Sequence, residues 1–314
     1  MPNFNYLYSF KYDYHHSNLC KLESRQLFNK EEKDKVLLTD VKVDPSISPF
    51  IRNRLTIIST SIDYSKLIDN IKKEDIHAER FNAEYIVLKG DVKSKTERRK
   101  IERDVGYNIT GEPDFNNPTV TYSVCYHEEV WYFGILAKHQ INWHQHKKKP
   151  CSFSNSIGMN IAKALVSIGT KGDKNNTLID TCCGVGTIML EACISDFKIE
   201  GCDINPKTCG KARKNLAHYN YNTTVYYSDI KDLNKSYDIS IIDLPYNIYS
   251  YSTDEVTKNI INSSSKMSKR VIIVSVSDIE PIIMASGLEV KDFCIVEKRG
   301  YTHFTRKIWV CEPH

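Results

Sequence analysis

TLIDTCCGVGTIMLEA, residues 177–192, changes character twice over a short span. A run of β-formers ends at Asp180, a glycine-containing turn follows, and an apolar helical pattern opens at Thr187. Glycines between a strand and a helix N-terminus let the backbone come close to a ligand. The spacing is not the G-x-G-x-x-G of pyrophosphate binders, because Met189 stands three positions after Gly186. On either side of this stretch, strand and helix alternate. A helical pattern capped by Ser154 carries Ile157, Ile161, Leu165 and Ile168 on one face. Strands are expected at 198–203, 225–229, 238–243 and 270–277, with helices at 206–219, 256–266 and 279–285 between them. Pro206 falls in a first helical turn, where its missing N–H costs nothing. Short β-branched runs separated by helices predict a parallel, doubly wound α/β sheet. Residues 290–296 and 304–310 close it as an antiparallel hairpin around Arg299-Gly300.

Acidic residues recur at the expected strand ends. Asp180 ends the first strand, Asp203 the second and Ser228-Asp229 the third. Each alone is an ordinary cap or loop residue. Together, on the ligand-binding edge of one sheet, they describe a pocket for an adenosine with no phosphate demand, which suits S-adenosylmethionine better than a dinucleotide. The fourth strand runs into Asp243-Leu244-Pro245-Tyr246-Asn247. Such a loop suits methyl transfer to a planar amino group, whose lone pair is delocalised into its ring. The Asp243 carboxylate and the Leu244 carbonyl can accept its two hydrogens, Pro245 stiffens the loop and Tyr246 can stack on the base. Cys182 and Cys183 invite a rival chemistry, a thiolate adduct with a pyrimidine, but they stand in the cofactor loop rather than facing a target base.

The first half is patterned differently. Alternating aromatics from Phe4 to Tyr14 predict a strand, a helix starts at Ser17, and further strands are expected at 54–59, 83–90, 119–126 and 130–136, with helices at 64–72 and 96–105. This is α+β patterning. Residues 138–150, polar and basic with a lone Trp143, form the best linker, which gives domains at 1–146 and 147–314.

Composition sets the outer limits. The chain has 314 residues, 41% hydrophobic and 26% charged, which excludes a disordered, collagen-like or coiled-coil protein. No run approaches a membrane span, and the opening MPNFNYLYSFKYDYHH is not a secretory leader. The 10 cysteines contain no C-x-x-C pair, so a metal ribbon is excluded, and free thiols fit a cytoplasmic location. The net charge of +4 is mild, but basic residues cluster, with six basic against two acidic residues in 93–103 and HQHKKK at 144–149.

KKPCSFSNSIGMNIAKALVSIG (147–168), DTCCGVGTIMLEA (180–192), GCDINPKTCGKARKNL (201–216) and DLPYN (243–247) resemble, in order, the class I S-adenosylmethionine-dependent methyltransferases. More narrowly, they resemble the tRNA guanine-N2 methyltransferases that join a THUMP-type RNA-binding domain to a Rossmann-like catalytic domain. GYNITGEPDFNNPTVTYSV (106–124) is similar to the end of a THUMP domain. The resemblance implies that Phe153, Asp180, Gly184, Gly186, Asp203 and Asp229 line the cofactor pocket and that Asp243, Leu244, Pro245 and Tyr246 form the catalytic loop. It also implies a structured RNA, tRNA, as partner, with no metal and no membrane. RNA of this kind is read largely through shape and backbone, so Arg98, Arg99, Lys100, Lys147, Lys148 and Lys149 become candidate phosphate contacts. Leu244 departs from the commoner Asp-Pro-Pro-Tyr loop. It leaves open an adenine-N6 or protein-amide acceptor, and a non-catalytic RNA-binding protein retaining the fold is a further alternative.

Overall fold

The computed structural model describes residues 4–153, 156–245, 254–297 and 305–314, which arrange two seven-stranded sheets in two compact units. The first unit comprises residues 4–11, 31–46 and 50–140. Its strands are β1 (Tyr6–Phe10), β2 (Val36–Thr39), β3 (Ile51–Ser61), β4 (His77–Tyr85), β5 (Thr110–Pro113), β6 (Val120–His127) and β7 (Val130–Lys138), in the order β2-β1-β3-β7-β6-β4-β5. Helices α2 (Tyr64–Lys73) and α3 (Lys95–Gly106) contribute Leu67, Ile71, Ile101 and Val105 to a core shared with Phe81, Val124 and Phe133. Asp63 caps α2 through the Lys66 N–H, and α3 begins with a capping box between Ser94 and Glu97.

Two strands differ from the sequence expectation. The strand expected at 83–90 lies earlier, at β4, and a register shift between Ala78 and Arg80 explains why its apolar alternation is hard to read. Ile86 and Leu88 are buried all the same, beyond the strand end. The aromatic alternation from Phe4 also ends early, because the ladder stops at Phe10.

The second unit comprises residues 12–30, 47–49 and 141 onward. Its strands β8 (Thr177–Asp180), β9 (Lys198–Asp203), β10 (Val225–Tyr227), β11 (Tyr237–Asp243), β12 (Ser268–Ser275), β13 (Leu288–Glu297) and β14 (Thr305–Pro313) are ordered β10-β9-β8-β11-β12-β14-β13. The first five in that order run parallel, and β14 inserts antiparallel between β12 and β13. The helices are α4 (Met159–Thr170), α5 (Thr187–Ile194), α6 (Pro206–His218), α7 (Asp254–Met267) and α8 (Glu280–Ala285). This is the doubly wound parallel sheet expected from the sequence. Its order reverses between β8 and β11, which opens a crevice at the carboxyl ends of those strands.

Helix α1 (Ser17–Phe28) also belongs to this unit, packing on α4 and β13, with Leu19, Leu22, Leu27 and Phe28 buried. Arg25 donates to both carboxylate oxygens of Asp292, at 2.8 and 3.0 Å, and Gln26 donates to the same carboxylate at 2.6 Å. Residues 143–148 form a docked turn rather than a free tether, because Trp143 and His146 are both buried. His146 bonds Glu191 of α5 at 2.8 Å and the Tyr221 hydroxyl at 3.1 Å. Helix α4 starts at Met159, after Gly158; the expected Ser154 cap and the Arg299-Gly300 turn lie outside the described residues. No helix among the described residues is long and apolar enough to cross a membrane.

Candidate active site

The loop between β8 and α5 is shaped by its glycines. Gly184 and Gly186 have φ of +54° and +80°, the left-handed region where a side chain is strained, and a Cβ on Gly186 would press within 3.4 Å of the Ala212 Cβ. Asp203, at the end of β9, holds the loop: its carboxylate accepts the Gly184 N–H at 2.9 Å and the Asn205 N–H at 2.8 Å. Met189, which replaces a third glycine in the loop motif, is accommodated by a glycine on the facing strand. A Cβ on Gly201 would stand 2.4 Å from the Met189 sulfur and 3.1 Å from the Cys183 Cβ.

Asn215 on α6 secures the same loop from the other side. It is fully buried, donates to the carbonyls of Cys151 and Val185 at 2.8 Å, and accepts the Cys151 N–H at 2.8 Å. The clamp brings the segment leading to Phe153 against the glycine loop. Phe153 itself is exposed at the cleft, with the Lys211 ammonium 4.0 Å from its ring centre. Asn215 lies in the 201–216 stretch that carries the resemblance, but no role is expected of it there. The signal it leaves in the sequence is an asparagine inside a helix, where its side chain competes with the backbone unless a partner claims it.

The strand ends supply the charge. Asp180, Asp203, Asp229 and Asp243 come to one edge of the sheet, around a cleft of about 350 Å3 on one side of the glycine loop and about 400 Å3 on the other. Asp180 is buried, and neither of its oxygens has a well-formed hydrogen bond among the described residues. Burial, then the neighbouring charges of Asp243 and Asp203, push its carboxyl well above the ordinary range; the nearby Cys182 N–H offsets only part of this. Asp243 is pushed up to about 7 by burial, with the Arg306 guanidinium acting in the opposite sense.

The register explains why Arg306 bears on Asp243. Asp243 pairs with Val274, Val274 with Ile308, and Arg306 lies two residues along the same face of β14. A single arginine at the start of the apolar run of β14 is the signal by which sequence could have found it. Asp229 accepts the Lys231 N–H at 3.2 Å and pairs with the Lys231 ammonium, and Ile204, Ile230, Val256 and Ile260 give the cleft apolar walls beside it.

The loop after β11 departs from a double-proline form for a visible reason. Leu244 donates its N–H to the Val274 carbonyl at 3.0 Å, extending the β11–β12 ladder by a bond that proline lacks. Its side chain is buried with Ile242, Ile273 and Ile279. Pro245 lines both sides of the cleft, while Tyr246 lies outside the described residues. Cys182 and Cys183 line the cleft beside Gly184, and both thiols are pushed up by burial and the surrounding carboxylates, the reverse of what a nucleophilic thiolate requires. The candidate phosphate contacts fall into two groups. Arg98, Arg99 and Lys100 lie on α3 of the first unit, and Lys147, Lys148 and Lys149 lie on the docked turn of the second.

Comparison with known proteins bears on the second unit. Residues 147–278 match the family model described as UPF0020, an RMKL-like methyltransferase domain. A curated relative, the tRNA (guanine(10)-N2)-dimethyltransferase of Methanothermobacter thermautotrophicus, is 26% identical over 208 residues, or 63% of this chain. The match spans 58% of that relative's length. Among solved structures, TrmN from Thermus thermophilus aligns over 98% of this chain and 99% of its own, with a TM-score of 0.49 and 13% identity. The magnesium protoporphyrin IX methyltransferase of Synechocystis, solved with S-adenosylmethionine bound, aligns over 55% of this chain and 92% of its own, with a TM-score of 0.43 and 15% identity. The glycine loop, the carboxylate edge and the Asp243 loop all fall within the stretch that matches the RMKL-like methyltransferase domain model.

Proposed function

We propose that this chain is an S-adenosylmethionine-dependent RNA methyltransferase whose acceptor is the exocyclic N2 of a guanosine in tRNA. The observation that carries the reading is the placement of Asp243 and Leu244 at the end of β11, across one cleft from the Gly184–Gly186 loop. The name of the curated relative supports the choice of guanine and of tRNA.

The residues fit a cationic, adenosine-bearing cofactor. Asp180 is a buried carboxylate without a well-formed partner among the described residues, in a cleft crowded with like charge, and a positively charged ligand relieves both conditions. Asp203 retains lone pairs for hydroxyl groups beyond its two backbone bonds, and Asp229 stands at the apolar end of the cleft where a planar ring would lie. S-adenosylmethionine supplies an electrophilic methyl group on a sulfonium.

The chain's own residues prepare the acceptor. The Asp243 carboxylate and the Leu244 carbonyl accept the two amino hydrogens, which turns the nitrogen lone pair toward the cofactor side of the cleft. As that nitrogen gains positive charge, Asp243 stabilises it and accepts its proton. An amino group inside an RNA helix is shielded by pairing, so the target nucleotide must be unpaired or drawn out of its stack. The first unit is read as the THUMP-like module that presents the RNA, through Arg98, Arg99 and Lys100 among others, and the protein is placed in the cytoplasm with tRNA.

The test is nucleoside mass analysis of unmodified tRNA after incubation with the protein and S-adenosylmethionine, beside an Asp243→Ala variant. N2-methylguanosine formed by the wild type and not by the variant is expected. Methyladenosine would move the acceptor to the adenine reading. No product in RNA, with cofactor binding intact, would overturn the assignment.

A further inference from the structure

Helix α6 and the docked turn carry a concentration of positive charge unlike the rest of the second unit. Residues 141–153 and 206–218 contain no aspartate or glutamate. Across them stand Lys147, Lys148, Lys149, Lys207, Lys211 and Lys214, and none forms an ion pair with a carboxylate among the described residues. Elsewhere in the unit several surface lysines pair with a nearby carboxylate: Lys231 with Asp229, Lys235 with Glu200, Lys269 with Asp238, and Lys307 with Asp278.

Three anchors show that these lysines form one surface. The Tyr219 hydroxyl donates to the Gln145 carbonyl at 2.9 Å, Asn215 clamps Cys151 in both directions, and Lys211 covers Phe153. The segment from Gln145 to Phe153 therefore runs antiparallel along α6. Lys207, Lys211 and Lys214 recur at spacings of four and three, on one face of the helix. Lys207 and Lys214 are exposed, as are Lys147 and Lys148, while Lys149 is half-buried and its ammonium is pulled down by that burial. Like charges held together on rigid, buried anchors destabilise a fold unless something outside the chain neutralises them. The strip ends at Phe153, the mouth of the methyltransferase cleft.

We infer that α6 and residues 147–149 form a phosphate-binding track, along which the backbone of the substrate RNA is laid so that its target nucleotide reaches the cleft at Phe153. The inference rests on the RNA methyltransferase reading and adds to it a surface on the catalytic unit itself. A flexible polyanion fits the strip better than an acidic protein segment does. The three lysines of α6 span about 10 Å of a helix about 20 Å long, and residues 147–149 run beside its other half, a row of separated cations that suits a chain of repeated phosphates.

The experiment measures binding of unmodified tRNA to the full chain across a salt series, with methylation of the same tRNA followed in parallel. The variant K147Q/K148Q/K207Q/K214Q should bind at least about tenfold more weakly, and the slope of log affinity against log salt should become shallower by roughly three, at about 0.7–0.9 for each phosphate no longer neutralised. The control K291Q/K307Q, on β13 and β14, should match the wild type. Binding of S-adenosylhomocysteine and the melting temperature report folding, and the single reversals K207E and K214E serve if the fourfold variant melts early. Unchanged affinity and slope in the strip variants, or an equal loss in the control, overturn the track. Methylation by a wild type whose binding ignores the strip would sink the track alone. Strip-dependent binding without any methylated nucleoside would sink the reaction and leave the track. A wild type that binds no tRNA removes both.

Discussion

The two ends of the parallel sheet in the second unit treat their carboxylates in opposite ways. At the amino ends of the strands, Asp238 accepts the Thr177 N–H and hydroxyl, each at 2.9 Å, and the Lys269 ammonium at 2.9 Å. Lys269 first, then Thr177, pull its carboxyl down to about 2. Glu200 accepts from Tyr237 at 2.5 Å, from Tyr226 at 3.0 Å and from Lys235 at 3.1 Å, and these partners outweigh its burial. At the carboxyl ends, Asp180 and Asp243 are pushed the other way by burial, and Asp180 also by its acidic neighbours. One sheet thus carries a finished end and an unfinished one. Where every lone pair is answered, the carboxylate stabilises the fold; where it is not, the site is built to be completed by a ligand.

That contrast can be broken at several points. The largest effect is expected at Asp243, where Asp243→Ala should lower methyl transfer at least about 100-fold while leaving the melting temperature and S-adenosylhomocysteine affinity near the wild type. A matching loss of stability would make Asp243 a structural residue and remove the contrast.

Asn215 sharpens it from within the active end, since all its described hydrogen bonds are made. Asn215→Ala should destabilise the protein by about 2–3 kcal/mol in a denaturant titration, because it orphans the Cys151 amide and the Val185 carbonyl. Cofactor affinity should fall with it as the glycine loop loosens.

A carboxyl raised to about 7 in the folded protein contributes stability below its unfolded value of about 4, and loses it as pH rises through about 7. Activity should follow the opposite sign, because the acceptor role proposed for Asp243 requires the ionised form. kcat/KM should therefore rise with pH along an acid limb whose midpoint lies at or below about 7, a bound sulfonium only lowering it, and fall about tenfold per unit beneath that midpoint. Asp243→Asn should flatten the limb, and Arg306→Gln should move it upward.

The smallest effects carry opposite signs at the two ends. Asp180→Asn should raise the melting temperature of the ligand-free protein, by roughly 2–4 °C for about 1 kcal/mol, while weakening cofactor binding. Asp238→Asn should lower stability by less than about 1 kcal/mol, since its partners are largely solvent-screened. Two shifts of the same sign in a thermal melt would count against the distinction.

Much of the second unit is legible in sequence because its strands are β-branched runs bounded by helices, and because Asp180, Gly184, Asp203 and Asp243 fall at the turns between them. The first unit is harder. A register shift conceals β4, and β2 and β5 are only four residues each, too short to show a period. Leu244 reads as a departure in a loop motif until its amide is seen completing the ladder to Val274. The roles of Asn215 and Arg306 are not legible, since their partners are backbone groups and a carboxylate brought near by folding. The allegiance of α1 is invisible for the same reason: amphipathic spacing states that a helix has a buried face, not which sheet will cover it.

That last feature has a consequence in time. Arg25 of α1 meets Asp292, its partner on β13, 267 positions later in the chain. At a synthesis rate of roughly 5–20 residues per second, the helix emerges roughly 13–50 s before the strand that receives it. During that interval the first unit has all its strands available and can fold, while Leu19, Leu22 and Phe28 wait without their final cover. The second unit is thus begun once only the first strand of the first unit has been made, and it is finished long after the rest of that unit; a ribosome stalled between residues 140 and 288 would hold a folded domain with an apolar helix still looking for its place.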